Sequence, residues 1–318
     1  MRSVAITGVS GYVGRLLLRR LEEDPAVEEV VGIDLQEPPR DIARKLVFYR
    51  RDINDPLGPL FSQHRVEVAV HLVYILRPMR ARRWASHVNI DGTRNFLAAC
   101  HEAGVRRLLY PSSTSVYGAW PDNPVPLTEE HPTRPRPGFQ YSWEKKLTEA
   151  LFLDYGREHP TARVTVARGA PALGPEPDNW IGRSLVEGAR FSILGYDPPL
   201  QFVHDEDLAA ALHTLLAAGR PGIFNIGGEG TVRYSDIARQ AGRRRLALPA
   251  RLVYPLTGLT WMLGLQRASP PEGLDYIRYS WVASSDKLKR ETGFAFRHTS
   301  LEALRAYIGA WVEARRGG

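Results

Sequence analysis

Three glycines at intervals of three, in Thr7-Gly8-Val-Ser-Gly11-Tyr-Val-Gly14, constrain this chain more than any other feature. They separate a short apolar run, Val4-Ala-Ile-Thr7, from a segment of helical period, Tyr12–Glu23, with leucine at positions 16, 17, 18 and 21. A strand that passes straight into a helix through glycines opens a βαβ unit. The missing side chains allow a tight turn and let a ligand approach the backbone closely.

The remaining rhythm extends that unit. Buried strands are expected at Val30–Ile33, Leu46–Tyr49, Val66–Val73, Arg106–Tyr110 and Arg163–Ala167, with long helices at Trp84–Ala103 and Gln140–Arg157. Strands alternating with helices of this length imply right-handed crossovers, and so an α/β fold with a doubly wound parallel sheet. After Gly174 the rhythm changes to helix Ile181–Ala189, a loop at Gly195–Pro199 and helix Asp207–Ala218; Ile223–Ile226 is expected to return to the sheet. At 318 residues the chain exceeds the usual single core. A Rossmann-type domain at 1–175, rejoined by 200–230, and a smaller C-terminal lobe at 176–318 are therefore expected. The apolar stretch Pro249–Gly264 reads as the core of that lobe, or else as a wall for an apolar substrate or a partner surface.

Composition removes several function classes. The net charge of +7 comes almost wholly from scattered arginines, clustered only at Arg77–Arg83 and Arg243–Arg245, so no nucleic-acid partner is expected. Cys100 stands alone in an apolar helical pattern and reads as a buried structural thiol, which fits a reducing compartment. The histidines show no metal-ligand spacing, and no metal is expected. No apolar run approaches the ~20 residues of a membrane span, and Met1 leads directly into a strand. The expectation is a cytoplasmic protein with no membrane partner and a small-molecule substrate.

The glycine turn has the context of a dinucleotide site: a pyrophosphate would rest on the N-terminus of the following helix, against Gly8, Gly11, Tyr12, Val13 and Gly14. Asp34 ends the next strand, followed by Leu35, where a carboxylate accepts from ribose hydroxyls and repels a 2′-phosphate. NAD is thus expected rather than NADP. Far downstream, Tyr141-Ser-Trp-Glu-Lys145 places a phenol and an amine on one helical face. A free phenol with a pKa near ~10 is a poor base at neutral pH, and a neighbouring cation favours its ionised form.

From Ile6 to about Ala310 the chain resembles the extended short-chain dehydrogenase/reductases, the group that includes nucleotide-sugar epimerases and dehydratases. The matching stretches include the Gly-x-x-Gly-x-x-Gly turn, Arg51-Asp52-Ile53, His71-Leu72-Val73, Asn89-Ile-Asp-Gly-Thr93, Pro111-Ser-Ser-Thr-Ser-Val-Tyr117-Gly118, Tyr141-x-x-x-Lys145 and Phe202-Val-His-Asp-Glu-Asp-Leu208. The resemblance implies that Asp52 binds the adenine amino group beside Ile53, and that Leu72, Val73, Tyr74 and Ala170 line the cofactor. Tyr74 stands where the family usually has a small residue. Asn89 would order the backbone near the lysine. Ser113 would hold the substrate oxygen, Thr114 and Asn179 would touch substrate, and Tyr141 and Lys145 would complete the catalytic set. His71, His204 and Arg168 read as structural, Arg168 through a carboxylate partner.

The chain departs from the UDP-sugar enzymes in two places. Pro171 stands three residues after Arg168, where an asparagine is usual, and Pro198-Pro-Leu-Gln201 lacks the arginine that pairs with the nucleotide diphosphate. Arg77, Arg80, Arg82 and Arg83 are candidate substitutes. Epimerase or dehydratase chemistry on a nucleotide-sugar is the leading expectation. A dehydrogenase or reductase of a less polar alcohol or ketone is the second, and a non-catalytic NAD-sensing protein the third. By resemblance, the two long helices would form a homodimer contact.

Overall fold

The computed structural model describes residues 1–39, 44–76, 82–176, 179–266 and 269–316. In chain order the elements are β1 (Ser3–Thr7), α1 (Tyr12–Glu23), β2 (Glu29–Asp34), β3 (Leu46–Arg50), α2 (Gly58–Gln63), β4 (Val68–His71), α3 (Arg82–Ser86), a π-helical turn (His87–Asp91), α4 (Gly92–Glu102) and β5 (Arg107–Ser113). A 3₁₀ turn (Thr114–Tyr117), α5 (Gln140–Glu158), β6 (Arg163–Gly169), β7 (Ala172–Leu173), α6 (Trp180–Gly188), β8 (Phe191–Ile193), β9 (Pro199–Leu200), β10 (Val203–His204), α7 (Asp205–Ala218) and β11 (Gly222–Ile226) follow. The C-terminal part holds β12 (Val232–Arg233), α8 (Tyr234–Gln240), β13 (Leu246–Leu248), α9 (Ala250–Leu263), a 3₁₀ segment (Pro271–Ile277), α10 (Asp286–Thr292) and α11 (Ser300–Arg316).

Among the described residues, seven strands form one sheet in the order β11-β6-β5-β4-β1-β2-β3. The pairs β1–β2, β1–β4, β2–β3 and β4–β5 are parallel, with Ala5 opposite Val31 on one side and Ala69 on the other. The order reverses at β1, which makes this the doubly wound arrangement expected, with its ligand crevice at the carboxyl end of β1. The segment Ile223–Ile226 does return to the sheet, at its β11 edge. Strands buried on both faces explain why β1 and β4 read as unbroken apolar runs.

By Cα proximity the chain divides into two compact units, residues 1–112 with 144–168 and 209–224, and residues 113–143 with 169–208 and 225–318. The first has a core of aromatic and aliphatic side chains that includes Phe61, Phe96, Phe152 and Tyr110. Cys100 is buried there, as expected, and burial raises its thiol pKa well above the ordinary range. The core of the second unit joins Leu304, Tyr307 and Trp311 of α11 to Val186 of α6 and Ile237 of α8.

Two expectations need correction. The helix expected at Trp84–Ala103 is interrupted by the π-helical turn His87–Asp91. The stretch Pro249–Gly264 is not a core: only Val253 of α9 is buried, while Leu252, Leu256, Leu259, Met262 and Leu263 are each at least half exposed. Hydropathy reports how apolar a helix is, not whether anything covers it.

Candidate active site

The first unit forms the glycine turn as a cradle of backbone. Gly8 has φ +78°, and a Cβ there would fall 2.7 Å from the Val73 nitrogen. A Cβ on Gly14 would fall 2.2 Å from the Gly8 carbonyl oxygen. Gly11 caps α1 without a side-chain hydrogen bond, and the first turn holds no acidic residue. A helix N-terminus whose first turn carries no acidic side chain fits a dinucleotide pyrophosphate. Tyr12 and Val13 form this first turn, half-exposed.

Asp34, at the end of β2, accepts hydrogen bonds from the Ser10 (3.0 Å), Leu35 (2.7 Å) and Gln36 (3.2 Å) amides. These bonds hold its carboxylate against the glycine turn, and a carboxylate's four lone-pair sites leave room for a ribose hydroxyl. The Leu35 side chain is exposed. Asp52 accepts from the Asn54 amide and side chain, 2.9 and 3.0 Å away. Ile53 lies in the core at 4% exposure, against Gly92. Leu72, Val73 and Tyr74 follow β4 and are half-buried.

Lys145 is buried in the first unit, and its surroundings are chemically specific. Its Nζ donates to the Pro111 carbonyl at 2.9 Å and stands 4.1 Å from the centre of the Tyr74 ring and 4.8 Å from that of Tyr110. Burial pushes the amine down to about 7, against the opposing Glu149 carboxylate. Glu149, one turn further along α5, forms a buried ion pair with Arg168 and accepts from the Ser112 hydroxyl at 3.0 Å. Arg168 thus has the carboxylate partner expected. Asn89, in the π-helical turn, accepts from the Ile75 amide and donates to Glu144, both at 2.7 Å. A residue next to Tyr74 and a residue next to Lys145 are thereby tied to the same side chain.

His71 is buried between the Thr7 hydroxyl on Nδ1 (2.8 Å) and the Thr93 hydroxyl on Nε2 (3.0 Å), and stacks on Phe96. Burial, aided by the Lys145 charge, lowers its pKa to about 3, so the ring is neutral and part of the core.

The second unit holds Ser113 and Tyr141. Ser113 caps the 3₁₀ turn, its Oγ accepting from the Ser115 amide at 3.1 Å, and it also hydrogen-bonds the Tyr141 hydroxyl. Burial raises the Tyr141 pKa, with the Ser113 contact opposing it. The turn is braced by Tyr276, whose hydroxyl donates to the Ser115 carbonyl at 2.9 Å, and by Tyr117, whose hydroxyl donates to Asn225 at 2.9 Å. Phe139 packs against Tyr276, their ring centres 4.9 Å apart. Tyr141 and Lys145 lie one turn apart on the single helix α5.

Other candidates are engaged in structural tasks. Asn179 caps α6, accepting from the Ile181 and Gly182 amides and donating to the Ala172 carbonyl at 2.8 Å. Thr114 is buried, with its hydroxyl 3.4 Å from the Gly169 carbonyl oxygen, and the Ala170 amide donates to Ile226 at 2.8 Å. Arg77 and Arg80 lie outside the described residues, as does the side chain of Arg82; Arg83 is exposed. His204 and His298 stack at 3.9 Å. With Glu206 they bring ligand-type atoms within 4.8 Å, a grouping hidden by 94 residues of separation. Near-parallel rings, 20° apart, direct their lone pairs side by side rather than to one point. Spacing also missed Glu144, Glu149 and the pairing of Tyr74 with Lys145; the only signal for Glu149 was its place one turn after Lys145.

Residues 4–227 match the profile of the NAD dependent epimerase/dehydratase family. The chain belongs to that family. NAD is accordingly its cofactor, and the glycine cradle fits it. An uncharacterized protein of Mycobacterium tuberculosis is 31% identical over 318 residues, covering 96% of this chain and 83% of that protein. The UDP-glucose 4-epimerase of Azospirillum brasilense is 25% identical over 341 residues, covering 97% of this chain and 91% of the epimerase. Among solved structures, the Thermotoga maritima UDP-glucose 4-epimerase with UDP-glucose has a TM-score of 0.75 at 20% identity, covering 98% of this chain and 99% of that one. The Bacillus anthracis dTDP-glucose 4,6-dehydratase with NAD has a TM-score of 0.74 at 18% identity, covering 100% and 98%. These likenesses establish the fold of this NAD-dependent enzyme. Among the described residues, no helix is long and apolar enough to cross a membrane.

Proposed function

We propose that this member of the family oxidises and re-reduces a hydroxyl-bearing carbon of a nucleotide-sugar, with Tyr141, Lys145 and Ser113 as its catalytic residues. The observation that carries the reading is the buried Lys145 amine held one helical turn after a tyrosine whose hydroxyl already meets Ser113. Ser113 positions the substrate oxygen, and Tyr141 removes its proton as the carbon is oxidised. The positive charge of Lys145 favours the phenolate this requires. NAD, when bound, would supply the hydride acceptor for the oxidation and the hydride donor for the re-reduction. In this reading the enzyme is cytoplasmic. Trp143 and Leu147, exposed one turn apart on α5 at 48% and 41%, are the proposed homodimer face.

A second reading, a dehydrogenase of a less polar alcohol, is favoured by Gln201. In the stretch that lacks the diphosphate-pairing arginine, Gln201 donates to the Gly228 carbonyl at 3.0 Å and accepts from the Ala283 amide at 3.0 Å, and so is committed to the backbone. The deciding measurement is the nucleotide released on denaturing freshly purified protein. Near-stoichiometric NAD that survives gel filtration supports hydride return within each turnover; an empty site that binds NAD reversibly supports the dehydrogenase. Tyr141→Phe should abolish turnover and spare NAD binding, and retained turnover overturns the assignment of Tyr141.

A further inference from the structure

We propose that α9 and the arginines that precede it form a contact surface for a membrane containing anionic lipid, so that the enzyme rests on a bilayer without crossing it. Along α9, Leu252, Leu256, Leu259, Met262 and Leu263 are 50–70% exposed. Spaced by three or four residues, they make one continuous stripe along the helix. The opposite face is anchored: Val253 is buried, the Tyr254 hydroxyl donates to Asp275 at 2.6 Å, and the helix packs on the 3₁₀ segment Pro271–Ile277. The exposure is therefore a property of the outer face of a docked helix. Leu246 of β13, 53% exposed, extends the apolar surface into the strand that runs through Pro249 into α9.

Charge selects the occupant. Between Asp236 and Glu272 the chain carries Arg239, Arg243, Arg244, Arg245, Arg251 and Arg267 and no aspartate or glutamate. Arg244 and Arg251 are exposed; Arg239 pairs with Asp236 at 2.9 Å and Arg245 lies 3.5 Å from Asp197, so part of the charge is met within the protein. An apolar helix face flanked by arginine and free of acids is the pattern that settles at the interface of anionic lipid. A second copy seated on the same face would bring like charges together. The helix length excludes a span: 14 residues rise about 21 Å, against a hydrocarbon core of about 30 Å.

The test is flotation of the full-length protein with phosphatidylcholine vesicles, with and without phosphatidylglycerol. Wild type should float with the anionic vesicles and remain behind with the neutral ones. Leu259→Ser/Met262→Ser should abolish flotation while the far-UV spectrum and Tm stay as in wild type. Arg244→Gln and Arg251→Gln should each weaken binding by about fivefold, the effect of one basic side chain near such a surface. Failure of wild type to float, equal binding to neutral vesicles, or unchanged binding of the serine variant would each overturn the proposal. Failure to float together with a solution mass that drops in the serine variant would assign the face to a second copy instead.

Discussion

The Lys145 ammonium lies over the Tyr74 ring, 4.1 Å from its centre, where this family usually places a small side chain. A ring face favours the charged amine and replaces some of the solvation that burial removes. Tyr74 is therefore a tuning residue for Lys145. Tyr74→Leu should lower the Lys145 pKa by about 0.4–1.5, corresponding to the ~0.5–2 kcal/mol range of such contacts. The alkaline limb of the kcat profile should move to lower pH, whereas Tyr74→Phe should leave it in place.

Burial of Lys145 also makes stability depend on pH. Its pKa is about 7 in the folded protein against 10.5 for the free side chain. Between those values the unfolded chain binds a proton that the folded chain does not, so stability falls as pH drops from 10.5 towards 7 and levels off below. Lys145→Met should remove this dependence. In urea unfolding without cofactor, the variant's stability relative to wild type should be greatest near pH 7 and decline as the pH approaches 10.

The Arg168–Glu149 pair is buried on both sides. Arg168→Met strands the carboxylate in the core and should cost about 3–5 kcal/mol in unfolding free energy. Arg168→Met/Glu149→Leu should recover most of that loss, because the uncompensated charge rather than the missing attraction is the main cost. Chemical denaturation of the two variants distinguishes these cases.

The glycine turn separates folding from binding. A Cβ at Gly14 meets the Gly8 carbonyl oxygen at 2.2 Å, and Gly14→Ala should destabilise by about 1–3 kcal/mol or more and disrupt the cradle. At Gly11 the same contact is 3.2 Å, which a shift of a few tenths of an ångström relieves. Gly11→Ala should keep a near-wild-type Tm and weaken NAD binding, because its methyl group occupies the approach to the helix N-terminus. Calorimetry with NAD titration checks both.

Local pattern was enough for much of this protein. The strand, glycine turn and helix at Ser3–Glu23, the alternation that follows and the Tyr141–Lys145 spacing could all be read from residues within a few turns of one another. Periodicity and turn chemistry are short-range properties, and the parallel sheet is the arrangement left once those elements must bury their apolar faces. The tertiary structure decided what depends on distant partners. It put Tyr74 over Lys145, chose Glu149 for Arg168, placed the Asn89 amide between Ile75 and Glu144, and bound Gln201 to the backbone at Gly228 and Ala283. It also left the outer face of α9 exposed. An apolar stripe has the same sequence whether a core encloses it or solvent meets it, because burial depends on the surface that folding of the rest of the chain brings against it.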